Sequence, residues 1–276
     1  MTLLSLGRCS ESCSGFSPAG RWVLAMPPHT GTGTTSAHLM QPEQAVSLNV
    51  TQCVQNHGTC APADASIVLM YVANPFRRVL SDAAYRGVIN GSRRMTNDNQ
   101  EATLQRFRKW VLGLHYVSPG VVGCCARGQR IPLQTQFARS YKCAGGTGCR
   151  LWLGRTAALG ADMGQMLRDL GYAHHEGEVA FTSTHCGASC PSAGHFSDFS
   201  GKLTGGGGYY NASFADVSAR GTEKLKTVPW FDANATALVT RLFAEDFDAY
   251  GFSRDPADMW QLPMKLRPGF QRRASQ

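Results

Sequence analysis

Trp22–Leu39 reads WVLAMPPHTGTGTTSAHL. The apolar run Trp22-Val23-Leu24-Ala25-Met26 has the composition of a short buried strand. Pro27 and Pro28 end it, because proline cannot donate to a sheet ladder. Then come small residues, Thr30-Gly31-Thr32-Gly33-Thr34-Thr35, and Ser36-Ala37-His38-Leu39 opens like a helix. Strand, small-residue loop and helix start is the layout that wraps a phosphate. Glycines let the backbone approach, and amide N–H groups and hydroxyls donate to the anion. A Gly/Thr loop without a ligand is the alternative reading of the same residues.

The stretch also excludes two classes. A P-loop NTPase needs G-x-x-x-x-G-K-[ST], with a lysine on the terminal phosphates. No lysine occurs between Met1 and Gln100. No G-x-G-x-x-G precedes an acidic ribose ligand, so a dinucleotide-binding Rossmann unit is a poor match.

Working outward, Ile67–Ala73 (IVLMYVA) reads as a second buried strand between Pro62 and Pro75. Arg77–Arg86 continues as a helix with Val79, Leu80 and Ala83 on one face, and Asn90–Gln100 reads as a polar loop. Thr103–His115 is amphipathic, with Leu104, Phe107, Trp110, Val111 and Leu114 at helical spacing. Leu151–Gly154 suits a strand. Ala161–Gly171 suits a helix with Met163, Met166, Leu167 and Leu170 inward and Gly171 as its stop. His174–Asn211 reads as a long Gly/Ser/His-rich loop. Asp232–Tyr250 reads as one last helix, capped by Asp232 or Asn234 and closed by Gly251. Strands alternating with helices imply an α/β domain with a largely parallel central sheet, whose ligands sit at the strands' carboxyl ends. The expected organisation is a Ser/Cys-rich tail over 1–20, the domain over 21–255, and a basic tail over 256–276.

With 43% hydrophobic and only 17% charged residues, the chain can bury a sizeable core and is not of disordered type. Lys+Arg exceed Asp+Glu by 27 − 19 = 8, mostly as arginine. Arginine suits bidentate contact with phosphate, sulfate or carboxylate. No basic run interleaved with aromatics marks a nucleic-acid surface. The longest apolar run, Ile67–Ala73, falls far short of the roughly 18–20 residues of a membrane span. MTLLSLGRCSESC lacks a basic n-region, so membrane association is expected only if an anchor precedes Met1.

Ten cysteines fall in local pairs: Cys9/Cys13, Cys53/Cys60, Cys124/Cys125, Cys143/Cys149 and Cys186/Cys190. An even count at short spacings points to disulfides and an oxidising compartment, with connectivity left open. Zinc is the alternative for His185, Cys186, Cys190 and His195, at a spacing that matches no common finger. N-x-[ST] sequons at Asn49, Asn90, Asn211 and Asn234 agree with a secretory-pathway lumen.

The second strand runs into Ala73-Asn74-Pro75-Phe76-Arg77-Arg78-Val79-Leu80-Ser81. Together with the opening loop, this resembles the two nucleotide-binding elements of the carbohydrate sulfotransferases. Those enzymes use 3′-phosphoadenosine-5′-phosphosulfate (PAPS). The family patterns are P-K-x-G-[ST]-[ST] and R-[ND]-P-x-x-R-x-x-S. Leu153-Gly154-Arg155 through Asp162 to Leu170-Gly171-Tyr172, Leu133-Gln134-Thr135-Gln136-Phe137, and LFAEDFDAYGF over 242–252 are similar to later family segments. The resemblance spans about Trp22 to Phe252.

The resemblance implies a P-loop-like three-layer α/β domain. It implies a Golgi-type enzyme that moves a sulfuryl group from PAPS to a carbohydrate hydroxyl without metal and without nucleic acid. Thr30, Gly31, Thr32, Gly33, Thr34 and Thr35 would cradle the 5′-phosphosulfate. Ser81 falls on the serine of the 3′-phosphate site, and Arg78 on the second arginine. Two cations are missing: His29 or Thr30 stands at the loop lysine, and Ala73 at the first arginine. Arg77 or a protonated His29 would compensate. His57 is the expected general base and His29 the leaving-group stabiliser. The alternative is a catalytically impaired protein of the same fold that binds an anionic glycan or nucleotide. A nucleotide-dependent kinase is disfavoured by the absent Walker lysine.

Overall fold

The computed structural model describes residues 13–25, 27, 39, 47–53, 65–86, 88–89, 97–114, 131, 133–140, 149–172, 202–204, 209–211 and 228–271. Its centre is a six-stranded sheet. In chain order the strands are β1 (Cys13–Ser17), β2 (Gly20–Ala25), β3 (Val50–Cys53), β4 (Ile67–Val72), β5 (Arg150–Arg155) and, after a separate hairpin, β8 (Gly269–Phe270). The spatial order is β3-β1-β2-β4-β5-β8. β2, β4 and β5 are parallel neighbours, while β1 and β8 run against them. β3 is antiparallel to β1 and therefore shares the direction of β2. The sheet is mixed and mostly parallel, an α/β arrangement compatible with a three-layer domain.

Both faces are covered, which is why β4 is an unbroken apolar run with every residue buried. Side chains alternate between two core layers. Val23, Ala25, Val68, Met70, Val72 and Leu153 join the first. Trp22, Leu24, Ile67, Leu69, Tyr71 and Trp152 join the second. Helices α1 (Pro75–Tyr85), α2 (Asn97–Leu112), α5 (Ala233–Leu242) and α6 (Ala244–Tyr250) supply the first layer through Phe76, Phe107, Val239 and Phe247. The second is closed by α4 (Leu159–Asp169) through Met163, Met166 and Leu167. The short α3 (Gln134–Ser140) lies between α2 and β5 in sequence, and β6 (Lys202–Thr204) pairs with β7 (Tyr209–Asn211).

Several local signals act as expected. Asp232 Oδ1 accepts from Ala235 N at 2.8 Å and caps α5. Gly171 stops the α4 turn at φ +86°, with Gly171 N bonded to Arg168 O and Tyr172 N to Leu167 O. That pair of bonds is a Schellman motif. Gly251 closes α6 at φ +71°.

Other expectations change. The segment read as a tail over 1–20 contains β1. Its Ser/Gly composition hides a strand that tertiary contacts create: Gly15 lies opposite Trp22, and a Cβ there would stand 2.5 Å from the indole. The segment read as a basic tail over 256–276 contains β8, held by pairing of Trp152 with Phe270 and by Gln271 N on Leu151 O at 2.8 Å. Helix α2 begins at Asn97, inside the expected polar loop. The region read as a long loop over 174–211 includes the β6–β7 pair. The single last helix is two, broken at Phe243 (φ −112°, ψ 21°) with no Gly or Pro to announce it. Of the helix start expected at Ser36-Ala37-His38-Leu39 only Leu39 is among the described residues, and of the ten cysteines only Cys13 and Cys149 have described side chains. Cys13 and Cys149 are both disulfide-bonded.

Candidate functional site at the carboxyl edge of the sheet

Three parallel strands end together. Ala25 of β2 is in register with Met70 of β4, and Val72 of β4 with Arg155 of β5. The end of β2 therefore lies beside the end of β4. In open α/β sheets this edge is where ligands bind.

β4 passes into α1 through Ala73-Asn74-Pro75. Asn74 Oδ1 accepts from Phe76 N at 2.9 Å, an Asx cap. Pro75 takes the first helical position, where its missing N–H leaves no bond unmade. Asn74 Nδ2 donates to Ser253 O at 3.4 Å, which ties this turn to the segment after α6. The first turn of α1 carries no acid but two arginines, Arg77 and Arg78.

Arg78 is fully buried. Its Nη1 donates to Asp246 Oδ2 at 3.3 Å, and its guanidinium lies 6.0 Å from the Phe243 ring centroid. Burial pulls its pKa down, and the charges of Asp246, Tyr250 and Asp82 oppose that shift. Asp246 is the hub of a buried polar network. Its Oδ2 also accepts from Gln134 N at 2.9 Å and Gln134 Nε2 at 3.3 Å. Its Oδ1 accepts from Thr135 N at 2.9 Å and Thr135 Oγ1 at 3.1 Å. The carboxylate thus caps the first amides of α3. Gln134 then reaches Ala73: its Oε1 accepts from Ala73 N at 2.7 Å and its Nε2 donates to Ala73 O at 2.9 Å. The side-chain amide replaces a neighbouring strand just past the end of β4. α1, α3 and α6 are joined through this one network.

A second pair closes the end of β5. Asp162 Oδ2 accepts from Arg155 N at 2.6 Å and Nε at 2.8 Å, and Oδ1 accepts from Nη2 at 2.6 Å. This bidentate grip raises the Arg155 pKa, first through the hydrogen bond and then through the charge, against partial burial. Tyr71 donates to Met166 Sδ at 3.5 Å beneath it. Burial, followed by the Asp162 charge, holds the Tyr71 phenol well above its usual pKa. No group of metal-ligating side chains occurs among the described residues.

Of the expected site residues, Arg78 and Ser81 lie on α1 at this edge. Ser81 is nearly buried, at 7% exposure. The Arg78 side chain faces a carboxylate in the core and has no exposed surface. His29, Thr30, Gly31, Thr32, Gly33, Thr34, Thr35 and His57 lie outside the described residues, as do the candidate zinc ligands His185, Cys186, Cys190 and His195. Sequence reading quoted Gln134 and Asp246 only within family-like segments and gave neither a role. The signal for Asp246 was available: it stands in the apolar stripe formed by Leu242, Phe243, Phe247 and Tyr250, where a carboxylate requires a partner. Gln134 carries no comparable mark, since its role depends on a backbone more than sixty residues away in sequence.

No protein-family model, curated protein or solved structure matches the chain. Among the described residues, no helix is long and apolar enough to cross a membrane.

Proposed function

We propose that the chain is a PAPS-dependent sulfotransferase acting on a carbohydrate hydroxyl, with a P-loop-like nucleotide site at the carboxyl edge of the sheet. One observation carries the reading. The two segments that resemble the family's nucleotide-binding elements leave adjacent parallel strands, β2 and β4, at the same edge. One ligand can therefore span both. The Asn74 cap and Pro75 open α1 there, with Ser81 nearly two turns further along.

In this reading the acceptor oxygen attacks sulfur in line, forming the new O–S bond. The bond from sulfur to the 5′-phosphate oxygen breaks. The acceptor proton passes to His57, and adenosine 3′,5′-bisphosphate leaves. Catalysis of such a transfer rests on positioning and charge stabilisation, as in phosphoryl transfer. The roles assigned are phosphosulfate binding to Thr30–Thr35, leaving-phosphate stabilisation to His29, and 3′-phosphate binding to Ser81. Arg78 acts through Asp246, as a positioning residue of α1. The disulfides at Cys13 and Cys149 support an oxidising lumen of the secretory pathway, as in the Golgi.

A second reading is a protein of this fold that binds an anionic glycan or nucleotide without turnover. Ala73 and the lysine-free loop favour it, because each missing charge-assisted contact weakens binding by about 1.5–3 kcal/mol. Calorimetric titration with adenosine 3′,5′-bisphosphate, with ATP as control, tests both. Absence of bisphosphate binding sinks both nucleotide readings. Binding without transfer of radiolabelled sulfate to any glycan leaves the second. Unchanged turnover in His57→Ala removes that residue as base.

A further inference from the structure

The N-x-[ST] triplets at Asn49, Asn90, Asn211 and Asn234 meet different surroundings in the fold. Asn90 lies outside the described residues, and Asn211 ends β7. Asn234 follows Ala233 in the first turn of α5, and its triplet is wound into that helix: Thr236 N donates to Asp232 O at 2.8 Å. Asn49-Val50-Thr51 is instead a turn that runs into β3. Asn49 has φ +47°, and among the described residues no other non-glycine residue has a positive φ. Asparagine is one of the few residues that adopt this conformation readily.

The main chain of the turn is held on both sides. Leu48 is fully buried, and Tyr172 Oη donates to Leu48 O at 2.7 Å. Asn49 O accepts from Phe16 N at 3.1 Å, next to the register shift between Ser14 and Gly15 of β1. Asn49 itself is exposed, and its side-chain amide has no hydrogen-bond partner among the described residues. A fixed backbone below an amide left to solvent can carry a bulky substituent without losing a contact.

The ladder also fixes the height of this turn on the sheet. Val50 pairs with Gly15 and Gly15 with Trp22, near the start of β2. Cys53 pairs with Cys13 and Cys13 with Leu24, near its end. Asn49 is therefore level with the amino ends of the parallel strands, about 13 Å along β3 from Cys53. A substituent there leaves the candidate site at the carboxyl edge clear. β3 is the terminal strand of the sheet, and its sequence VTQC holds neither charge nor proline, two of the devices that shield such a strand.

We propose that Asn49 is an N-glycan acceptor and that its glycan screens the free side of β3, a proposal that rests on the secretory-lumen part of the reading above. Asn49 Nδ2 attacks the anomeric carbon of a lipid-linked oligosaccharide diphosphate, the donor of that compartment. The carbon–nitrogen bond forms, the carbon–oxygen bond to the diphosphate breaks, the amide gives up one proton, and the lipid diphosphate leaves. Val50 is not proline and Thr51 completes the triplet.

The test delivers the full chain to the lumen of cultured cells with a cleavable leader. The purified chain is digested with peptide N-glycosidase in heavy-oxygen water, and its peptides are read by mass spectrometry. Asn49 is expected as heavy-labelled aspartate in most chains. Asn49→Asp and Thr51→Val each remove one glycan step in gel mobility. Aspartate tolerates the left-handed turn, and valine keeps the β-branched shape in the strand. Thr51→Ser retains the glycan. A bare Asn49 in the wild-type chain, whatever the other three asparagines carry, overturns the assignment. The leader sets the compartment, so this outcome is separate from the bisphosphate titration: a chain glycosylated at Asn49 that binds no bisphosphate fails the sulfotransferase reading alone. In analytical ultracentrifugation, Asn49→Asp and Thr51→Val sediment as larger species than the wild-type chain at equal concentration. Sedimentation that differs only by the mass of the glycan overturns the screening role.

Discussion

Replacing Asp246 by asparagine should do more damage than replacing its partner Arg78 by methionine. The carboxylate receives five donors from Arg78, Gln134 and Thr135. Removing the arginine leaves four of these bonds in place. Removing the carboxylate charge leaves a fully buried guanidinium without its ion pair, and an asparagine amide must turn its own N–H groups toward other donors. Breaking a buried pair from one side costs about 3–5 kcal/mol. The charge of Asp82 nearby partly offsets this and argues for the lower end. With a urea slope of about 2–3 kcal/mol/M, the unfolding midpoint of Asp246→Asn should fall by about 1–2 M. The midpoint of Arg78→Met should fall by less. Urea titrations of both single variants and the double variant, followed by tryptophan fluorescence, give the coupling. Groups in one network couple by about 0.5–3 kcal/mol. Additive losses, or a larger loss for Arg78→Met, would refute the view that Asp246 is the hub.

Three further outcomes follow from the same geometry. Gln134→Met removes both bonds to Ala73 and should cost about 1–3 kcal/mol; hydrogen exchange should quicken at Ala73 and the first turn of α1 before it quickens in α4, and uniform quickening would count against the clamp. Gly251→Ala places a Cβ 2.5 Å from Lys265 Cγ and 2.8 Å from Lys265 N at φ +71°; beyond about 1–2 kcal/mol of backbone strain, the Lys265 main chain must move, and a melting temperature within 1–2 °C of wild type would contradict this. The Tyr71 phenol keeps its proton in the fold after the unfolded chain has lost it. Its contribution is thus complete below about pH 10 and declines as pH rises further; alkaline difference spectra should show one tyrosine ionising only with unfolding, and that late step should vanish in Tyr71→Phe.

The central strands were legible because burial on both faces writes itself as continuous apolar sequence, as in Ile67–Val72. Helix ends were legible where a single residue sets them, as Asp232 and Gly171 do. β1 was not, because its stability comes from pairing on both sides and from Trp22 lying over Gly15. β8 was not, because two residues carry no periodicity. At the candidate site, sequence pattern located α1. It could not separate Arg77 from Arg78, since adjacent helical positions point about 100° apart and only packing decides which one meets a carboxylate.

The position of β8 bears on how the chain is made. β5 is complete once Arg155 has been synthesised, but the strand that covers its outer edge begins at Gly269. At roughly 5–20 residues per second, the ribosome leaves that edge open for about 6–23 s. An uncovered strand edge invites pairing with another chain. Arg150 and Arg155 at its two ends place positive charge on the waiting strand. Nascent chains stalled before Gly269 should accordingly depend on chaperones, and release from that dependence should coincide with the arrival of the last strand.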